Sequence, residues 1–178
     1  MKSGADYRAD GALRDETRVC VRAIRPDDKE RLRIGFERLS PRSVYHRFFY
    51  SVKELTADVL RGVTEVDFRD HVALVLTVED EHGERLIAEG SFVRVAPGAD
   101  SAEIGVIVGD AYQGRGAGTL LLQHLVGLAR AGGIRELVAL VLDDNWEMLE
   151  LIEHCGLPLQ QSIEDGVQRV VMRLDAES

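Results

Sequence analysis

A chain of 178 residues with 45% hydrophobic content can fill one adequate core, so the sequence predicts a single principal domain. Its formal charge of −9 argues against nucleic acid as the partner, because phosphate backbones select clustered Lys and Arg; it is compatible with a cationic substrate. The sequence holds no membrane-length apolar run, and the polar stretch from Met1 to Asp10 lacks the apolar core of a secretion signal, which leads to the expectation of a cytoplasmic protein.

Residues 1–17 show no hydrophobic periodicity and read as a disordered N-terminal tail, followed by one domain over residues 18–174. Arg18 to Ile24 is a short strand. Pro26 with Asp27 and Asp28 starts a helix, with acids at its positive end, and Leu32, Phe36 and Leu39 form one buried face. Arg22, Arg25, Lys29, Arg31, Arg33 and Arg38 interleave with acids in this region and read as a solvated face. Ser40-Pro41 ends the helix; a second is expected over 41–50 and a third from Thr56 to about Arg61, broken by Gly62. His71–Val78 and Leu86–Val95 form a hairpin around a polar turn at 79–83, and Pro97-Gly98 turns the chain into a strand at 102–108. A long helix runs from Gly116 to about Ala131, with Leu120, Leu121, Leu125 and Leu128 inward, and Gly132-Gly133 stops it. Leu137–Leu142 is a buried strand, Asn145 opens another helix, and Leu159–Ser162 with Val167–Leu174 make a last hairpin around Glu164-Asp165-Gly166. The order implies a mixed α/β sheet flanked by helices.

The loop between the strand at 102–108 and the long helix is the most informative segment. Gly114, Gly116 and Gly118 remove the Cβ atoms that would hold a ligand away from the backbone, and they stand at a helix start whose unpaired amides attract anions. Phosphate is the chemistry this favours. A P-loop would need lysine and a hydroxyl where Arg115 and Gly116 stand, and the dinucleotide fingerprint needs G-x-G-x-x-G where the chain has G-x-G-x-G. Cys20 and Cys155 fit no C-x-x-C pattern and read as two reduced, buried thiols; His46, His71, His124 and His154 show no metal spacing.

Gln113-x-x-Gly116-x-Gly118 resembles the Q/R-x-x-G-x-G/A loop of the GNAT superfamily of N-acetyltransferases. The segment from Asn145 through Gly156 resembles that family's next motif, and Ala102–Val108 its central strand. Leu39-Ser-Pro-Arg-Ser-Val-Tyr-His-Arg-Phe-Phe49 is similar to a segment of the bacterial Pat-type protein lysine acetyltransferases. The resemblance implies the GNAT fold, a mostly antiparallel sheet whose splayed central strand binds acetyl-CoA as co-substrate, with no metal. It places the pyrophosphate on Gln113, Gly114, Arg115, Gly116, Ala117, Gly118 and Thr119, and the pantetheine arm on the main chain of Ile107 and Val108 with Asn145 beside it. It also assigns Glu103 as the general base. A lysine amine titrates near ~10.4, so an acetyl transferase needs a group to take its proton, directly or through one water. One position departs from the family: the tyrosine that often follows the asparagine by seven residues, and protonates the leaving thiolate, is Ile152 here. Tyr45, Phe48 and Phe49 are candidates for the acceptor groove. The implied partners are acetyl-CoA and an amine acceptor, protein lysine first, with polyamines or aminoglycosides, or a non-catalytic acyl-CoA-sensing module, as alternatives. Neither nucleic acid nor membrane is implied, and a homodimer through the last hairpin stays open.

Overall fold

The computed structural model describes residues 4–175. Eight strands form one sheet in the order β1-β2-β3-β4-β5-β6-β8-β7. They are β1 (Arg8–Ala12), β2 (Arg18–Ala23), β3 (His71–Asp80), β4 (Gly83–Arg94), β5 (Ser101–Val108), β6 (Glu136–Leu142), β7 (Leu159–Glu164) and β8 (Val167–Arg173). Every neighbouring pair is antiparallel except β5 and β6. The helices are α1 (Lys29–Glu37), α2 (Pro41–Phe48), α3 (Ala57–Thr64), α4 (Ala117–Ala131) and α5 (Trp146–Glu153).

Alternation along β3 sorts two cores. Val72, Leu74, Leu76 and Val78 join Leu121, Leu122 and Leu125 of α4 on one face, while Ala73 and Val75 join Leu32 of α1 and Leu60 of α3 on the other. Period-2 and period-3.6 burial therefore agree, and the sheet is covered on both faces.

The parallel pair positions the site. β5 and β6 register only at Ser101↔Glu136, Ala102↔Leu137 and Glu103↔Val138, after which each strand runs on without the other. The remaining five residues of β5, Ile104 to Val108, keep a ladder only to β4, and a gap opens beside them.

Three expectations are corrected. The disordered tail of residues 1–17 gives way, from Gly4 on, to a short 3₁₀ turn and to β1, paired with β2 from Arg8↔Arg22 to Ala12↔Arg18; residues 1–3 lie outside the described residues. The Tyr7 hydroxyl stands 2.5 Å from His124 Nδ1 and ties this segment to α4. Gly62 does not end α3, which continues to Thr64, where the Thr64 hydroxyl donates to the Leu60 carbonyl at 2.7 Å. Arg22 is not part of a solvated face. It is 3% exposed, and its guanidinium donates to both carboxylate oxygens of Asp28 (2.8 and 2.7 Å) and to Glu84. Cys20 and Cys155 are free, as expected, but half-buried.

Candidate active site

Where β5 leaves β6, the chain builds an anion cradle. Gly109 N–H donates to the Ile87 carbonyl at 2.8 Å, a 3₁₀ turn covers Asp110–Tyr112, and Gly114 and Gly116 take positive φ of 74° and 89°. Gly116 is the N-cap of α4 and offers no side-chain cap, so the first-turn amides of α4 stay available to a ligand. A methyl group on Gly118 would meet Leu151 Cδ1 of α5 at 2.5 Å, and one on Gly116 would meet Arg14 at 3.3 Å. Gly118 is favoured by the close packing of Leu151 against it, and Gly116 by its positive φ. The loop fits a pyrophosphate.

A cleft of about 600 Å³ runs from this loop along the β5–β6 gap. Ile107, Val108, Gln113, Gly114, Gly116, Ala117, Gly118, Thr119 and Asn145 all line it, so nine of the ten expected acetyl-CoA residues come together. Arg115 is the tenth, and its side chain is engaged elsewhere. Its guanidinium pairs with Asp15 at 3.2 Å and lies 5.2 Å from the Tyr112 ring centre, which leaves its main chain as its contribution to the loop. Arg14, Arg42 and Arg47 do line the cleft; of these Arg14 lies against Gly116 of the loop, and the Arg14 N–H donates to the Arg115 carbonyl at 2.9 Å.

Asn145 caps α5, accepting from Met148 N–H at 3.2 Å, and also faces the cleft. Gln113 fills the pairing position of the free strand end: its amide donates to the Val108 carbonyl at 3.1 Å and to Ser43 Oγ at 3.2 Å. Ile152 is 1% exposed and belongs to the core, while Glu147, Met148, Glu150 and Leu151 are the α5 residues that line the cleft. The tyrosine position of the family motif is thus a packing position in this chain.

Helix α2 spans the gap. Ser40 N–H donates to Asp110 at 3.2 Å on the β5 side, while His46 Nε2 lies 3.1 Å from Asp144 and Arg42 pairs with Glu147 at 3.4 Å on the β6–α5 side. A second groove of about 230 Å³ lies under α2, lined by Phe48, Phe49, Glu103, Gly105 and Leu140. It shares His46, Arg47, Val106, Asn145 and Met148 with the first cleft, so the two cavities meet at the splay.

Glu103 sits at the branch point, paired with Val93 on β4 and Val138 on β6, with an exposed carboxylate that no hydrogen bond or ion pair engages among the described residues. Phe48 and Phe49 line the groove as expected, and Tyr45 stands exposed at its side. Sequence reasoning missed Arg14, the α2 polar residues and Glu89. Glu89 lies on β4 directly across from Ile107 and is 8% exposed. Burial pushes its carboxyl above the usual range, against the opposing pull of the Arg47 charge and a Ser91 hydrogen bond. Among the described residues, no group of three or more His, Cys, Asp or Glu could hold a metal ion, and no helix is long and apolar enough to cross a membrane.

The Acetyltransferase (GNAT) family model matches residues 35–157. The chain is 38% identical over 136 residues to acetyltransferase Pat of Mycolicibacterium smegmatis, covering 76% of this chain and 40% of that protein. It thus spans well under half of that relative's length. It is 31% identical over 163 residues to acetyltransferase PA5475 of Pseudomonas aeruginosa, covering 92% and 87%. The crystal structure of the GNAT domain of S. lividans Pat superposes with a TM-score of 0.86 at 38% identity, over 93% of this chain and 96% of that one. With the splayed strand, the glycine cradle and the match across most of its length, the chain belongs to the Acetyltransferase (GNAT) family, whose co-substrate is acetyl-CoA.

Proposed function

We propose that the chain moves the acetyl group of acetyl-CoA onto a primary amine, protein lysine before polyamines or aminoglycosides. The observation that carries this reading is the meeting of the two cavities at the splay beside Val106: an anion cradle at one end of the free β5 edge, and at the other a groove lined by the exposed Glu103. The pyrophosphate would rest on the main-chain amides of residues 114–118 with the Thr119 hydroxyl beside them, and Arg14 would add charge. The pantetheine arm would pair with Ile107 and Val108, which requires Gln113 to release the Val108 carbonyl. A strand N–H facing the acetyl oxygen would stabilise charge in the tetrahedral adduct. Glu103 would take the acceptor's proton, directly or through water, and the CoA thiolate, with a solution pKa near ~8.5, would leave without a dedicated acid.

A macromolecular acceptor is favoured by exposed aromatics on the elements that border the groove, Tyr45 (47%), Tyr50 (64%) and Trp146 (69%), which suit a protein partner. The reading includes a cytoplasmic site of action. It also includes a homodimer through the β7–β8 hairpin, whose outer strand leaves Ile163 65% exposed; sedimentation at micromolar concentration checks that. A non-catalytic acyl-CoA-sensing module is the second reading, favoured by the burial of Ile152 where a proton-donating tyrosine would stand.

The test is CoA release from acetyl-CoA in the presence of lysine-containing proteins, polyamines or aminoglycosides, with Glu103→Gln beside the native chain. The transferase reading expects turnover that falls at least about a hundredfold in the variant. Acetyl-CoA binding with no turnover for any acceptor supports the sensor instead.

A further inference from the structure

Glu89 is a buried acid that the proposed chemistry leaves without a task. Its place is set by register: β4 and β5 pair Glu89↔Ile107, Ser91↔Gly105 and Val93↔Glu103, and directly opposed residues of an antiparallel ladder point to the same face. Glu89, Gly105, Ile107 and Glu103 therefore share the face over which α2 lies. The other face holds Gly90, where an added Cβ would meet Leu125 of α4 at 2.8 Å.

Distance separates the two carboxylates. The proposed function pairs the pantetheine arm with Ile107 and Val108; an acetyl group held at the Ile107 end of that pairing would leave Glu103 four residues away along β5, roughly 13 Å at ~3.3 Å per residue. Glu89 starts across one rung, with Cα atoms roughly 5 Å apart. A proton leaving an amine at the acetyl carbon has a shorter path to Glu89.

The space between them is held by a cation of the chain itself. A Cβ built on Gly105 would lie 2.9 Å from Arg47 Cζ and 3.1 Å from its Nη2, so the guanidinium lies flat on that glycine. Arg47 lines both cavities, and its charge acts on Glu89. Its guanidinium also stands 5.5 Å from the centre of the Phe48 ring, and no ion pair within 4.0 Å holds it in place among the described residues.

We infer that Glu89 is the inner proton acceptor for the amine, reached over Gly105 when the acceptor's ammonium displaces the Arg47 guanidinium. An N–H bond of the ammonium breaks as an O–H bond forms on Glu89; the freed nitrogen lone pair attacks the thioester carbonyl; the C–S bond breaks as the carbonyl re-forms, and a second N–H bond of the acylated nitrogen breaks, its proton passing through water to the departing CoA thiolate, which leaves a neutral amide. The proton on Glu89 then leaves by water past Gly105 to Glu103 and solvent. The burial that raises the Glu89 carboxyl brings it closer to the amine it must deprotonate. Arg47 and the incoming amine carry the same charge, so each excludes the other.

The test compares native chain, Glu89→Gln, Glu89→Asp and Arg47→Ala. It reads steady-state CoA release against acceptor concentration, acetyl-CoA affinity, melting temperature, and the ¹³C carboxyl resonance assigned by loss in Glu89→Gln. The expected result is a fall of at least about a hundredfold in kcat/KM for the acceptor in Glu89→Gln, partial recovery in Glu89→Asp, acetyl-CoA affinity within about twofold of native, and a lower acceptor KM in Arg47→Ala. Addition of n-butylammonium to the CoA-bound protein is expected to shift the Glu89 resonance, at lower amine concentration in Arg47→Ala. A Glu89→Gln enzyme with native kcat/KM overturns the inference while leaving the transferase intact. Should the native chain turn over no amine, the transferase reading fails by itself; the butylammonium titration then decides, and a resonance indifferent to the amine overturns the inner site.

Discussion

Two glycines at the start and middle of α4 should respond to the same substitution with opposite sign. Gly116 caps the helix at φ 89° and ψ 7°, a conformation that places an L side chain against its own carbonyl at a cost of ~1–2 kcal/mol. Alanine also narrows the unfolded ensemble, which offsets ~0.4–1 kcal/mol, so Gly116→Ala should lose about 0.5–1 kcal/mol. The Arg14 side chain, 3.3 Å from the added methyl group, is flexible and can move aside. Gly127 lies exposed within the same helix, and a Cβ there meets nothing within 4 Å. Gly127→Ala should therefore gain ~0.5–1 kcal/mol from helix propensity alone. At this chain length a kilocalorie moves the melting temperature by roughly 2–4 °C, so the two variants should melt about 1–4 °C below and above native. Acetyl-CoA affinity should separate them further, falling about tenfold in Gly116→Ala, where amides turn away from the pyrophosphate, and holding in Gly127→Ala. Circular dichroism melts and calorimetric titration read both quantities. A Gly116→Ala chain that melts higher than native and binds acetyl-CoA as well would refute the left-handed cap and the cradle together.

Arg14→Ala should weaken acetyl-CoA about tenfold, since a guanidinium lining the cleft meets phosphate charge, whereas Arg115→Ala, whose guanidinium is paired with Asp15 and Tyr112, should stay within about threefold. The reverse order in a titration would return Arg115 to the pyrophosphate. Stability should fall in acid through the Arg22 cluster. Burial alone would raise the Asp28 carboxyl, yet hydrogen bonds from Arg22 and Arg25 N–H outweigh it and hold it below the usual range; hydrogen bonding from Arg22 lowers Glu84 likewise. Both groups are depressed in the fold, so their contribution is complete above the unfolded values, ~3.9 and ~4.3, and disappears as pH drops through the folded ones. Urea unfolding of the native chain should thus lose stability below about pH 4. Asp28→Asn should be weaker by about 3 kcal/mol at pH 7, with a flatter acid limb. Parallel acid limbs in the two proteins would remove Asp28 from the account.

How much of the molecule could be read from the sequence depends on the range over which each signal acts. The β5–loop–α4 segment was legible because its signals are local: an apolar run, three alternating glycines and a leucine face lie within thirty-one residues. The same holds for α5, where Asn145 caps the helix that begins at its own C-terminal neighbour, Trp146. β1 was not legible, since Arg8-Ala-Asp-Gly-Ala12 carries no large apolar residue and is a half-exposed edge held by pairing with β2. Arg22 looked solvated because one of its partners, Glu84, is 62 positions away. Nothing local marks Glu89, a polar residue within a strand, because what covers its face, Arg47 of α2, is distant in sequence.

The placement of α2 brings these long-range contacts to bear on function. It is tied to the free end of β5 through Ser40–Asp110 and Ser43–Gln113, and to the far side of the gap through His46–Asp144 and Arg42–Glu147. The latter two pairs involve exposed partners, each worth at most ~1 kcal/mol. They hold the helix over the gap at little cost to opening it. Gln113 caps Val108 and in doing so holds Ser43 of α2; a pantetheine arm paired as proposed would compete for the Val108 carbonyl. An arriving acetyl-CoA that displaces Gln113 therefore loosens one of the four ties on α2, the helix whose Arg47 stands between the acceptor groove and Glu89. The expectation that follows from the proposed sites is that co-substrate binding and acceptor access are linked through one short helix. An acceptor affinity that rises when CoA is bound, and that loses this dependence in Gln113→Ala, is the measurable sign of that link; equal affinities with and without CoA in the native chain would sever it.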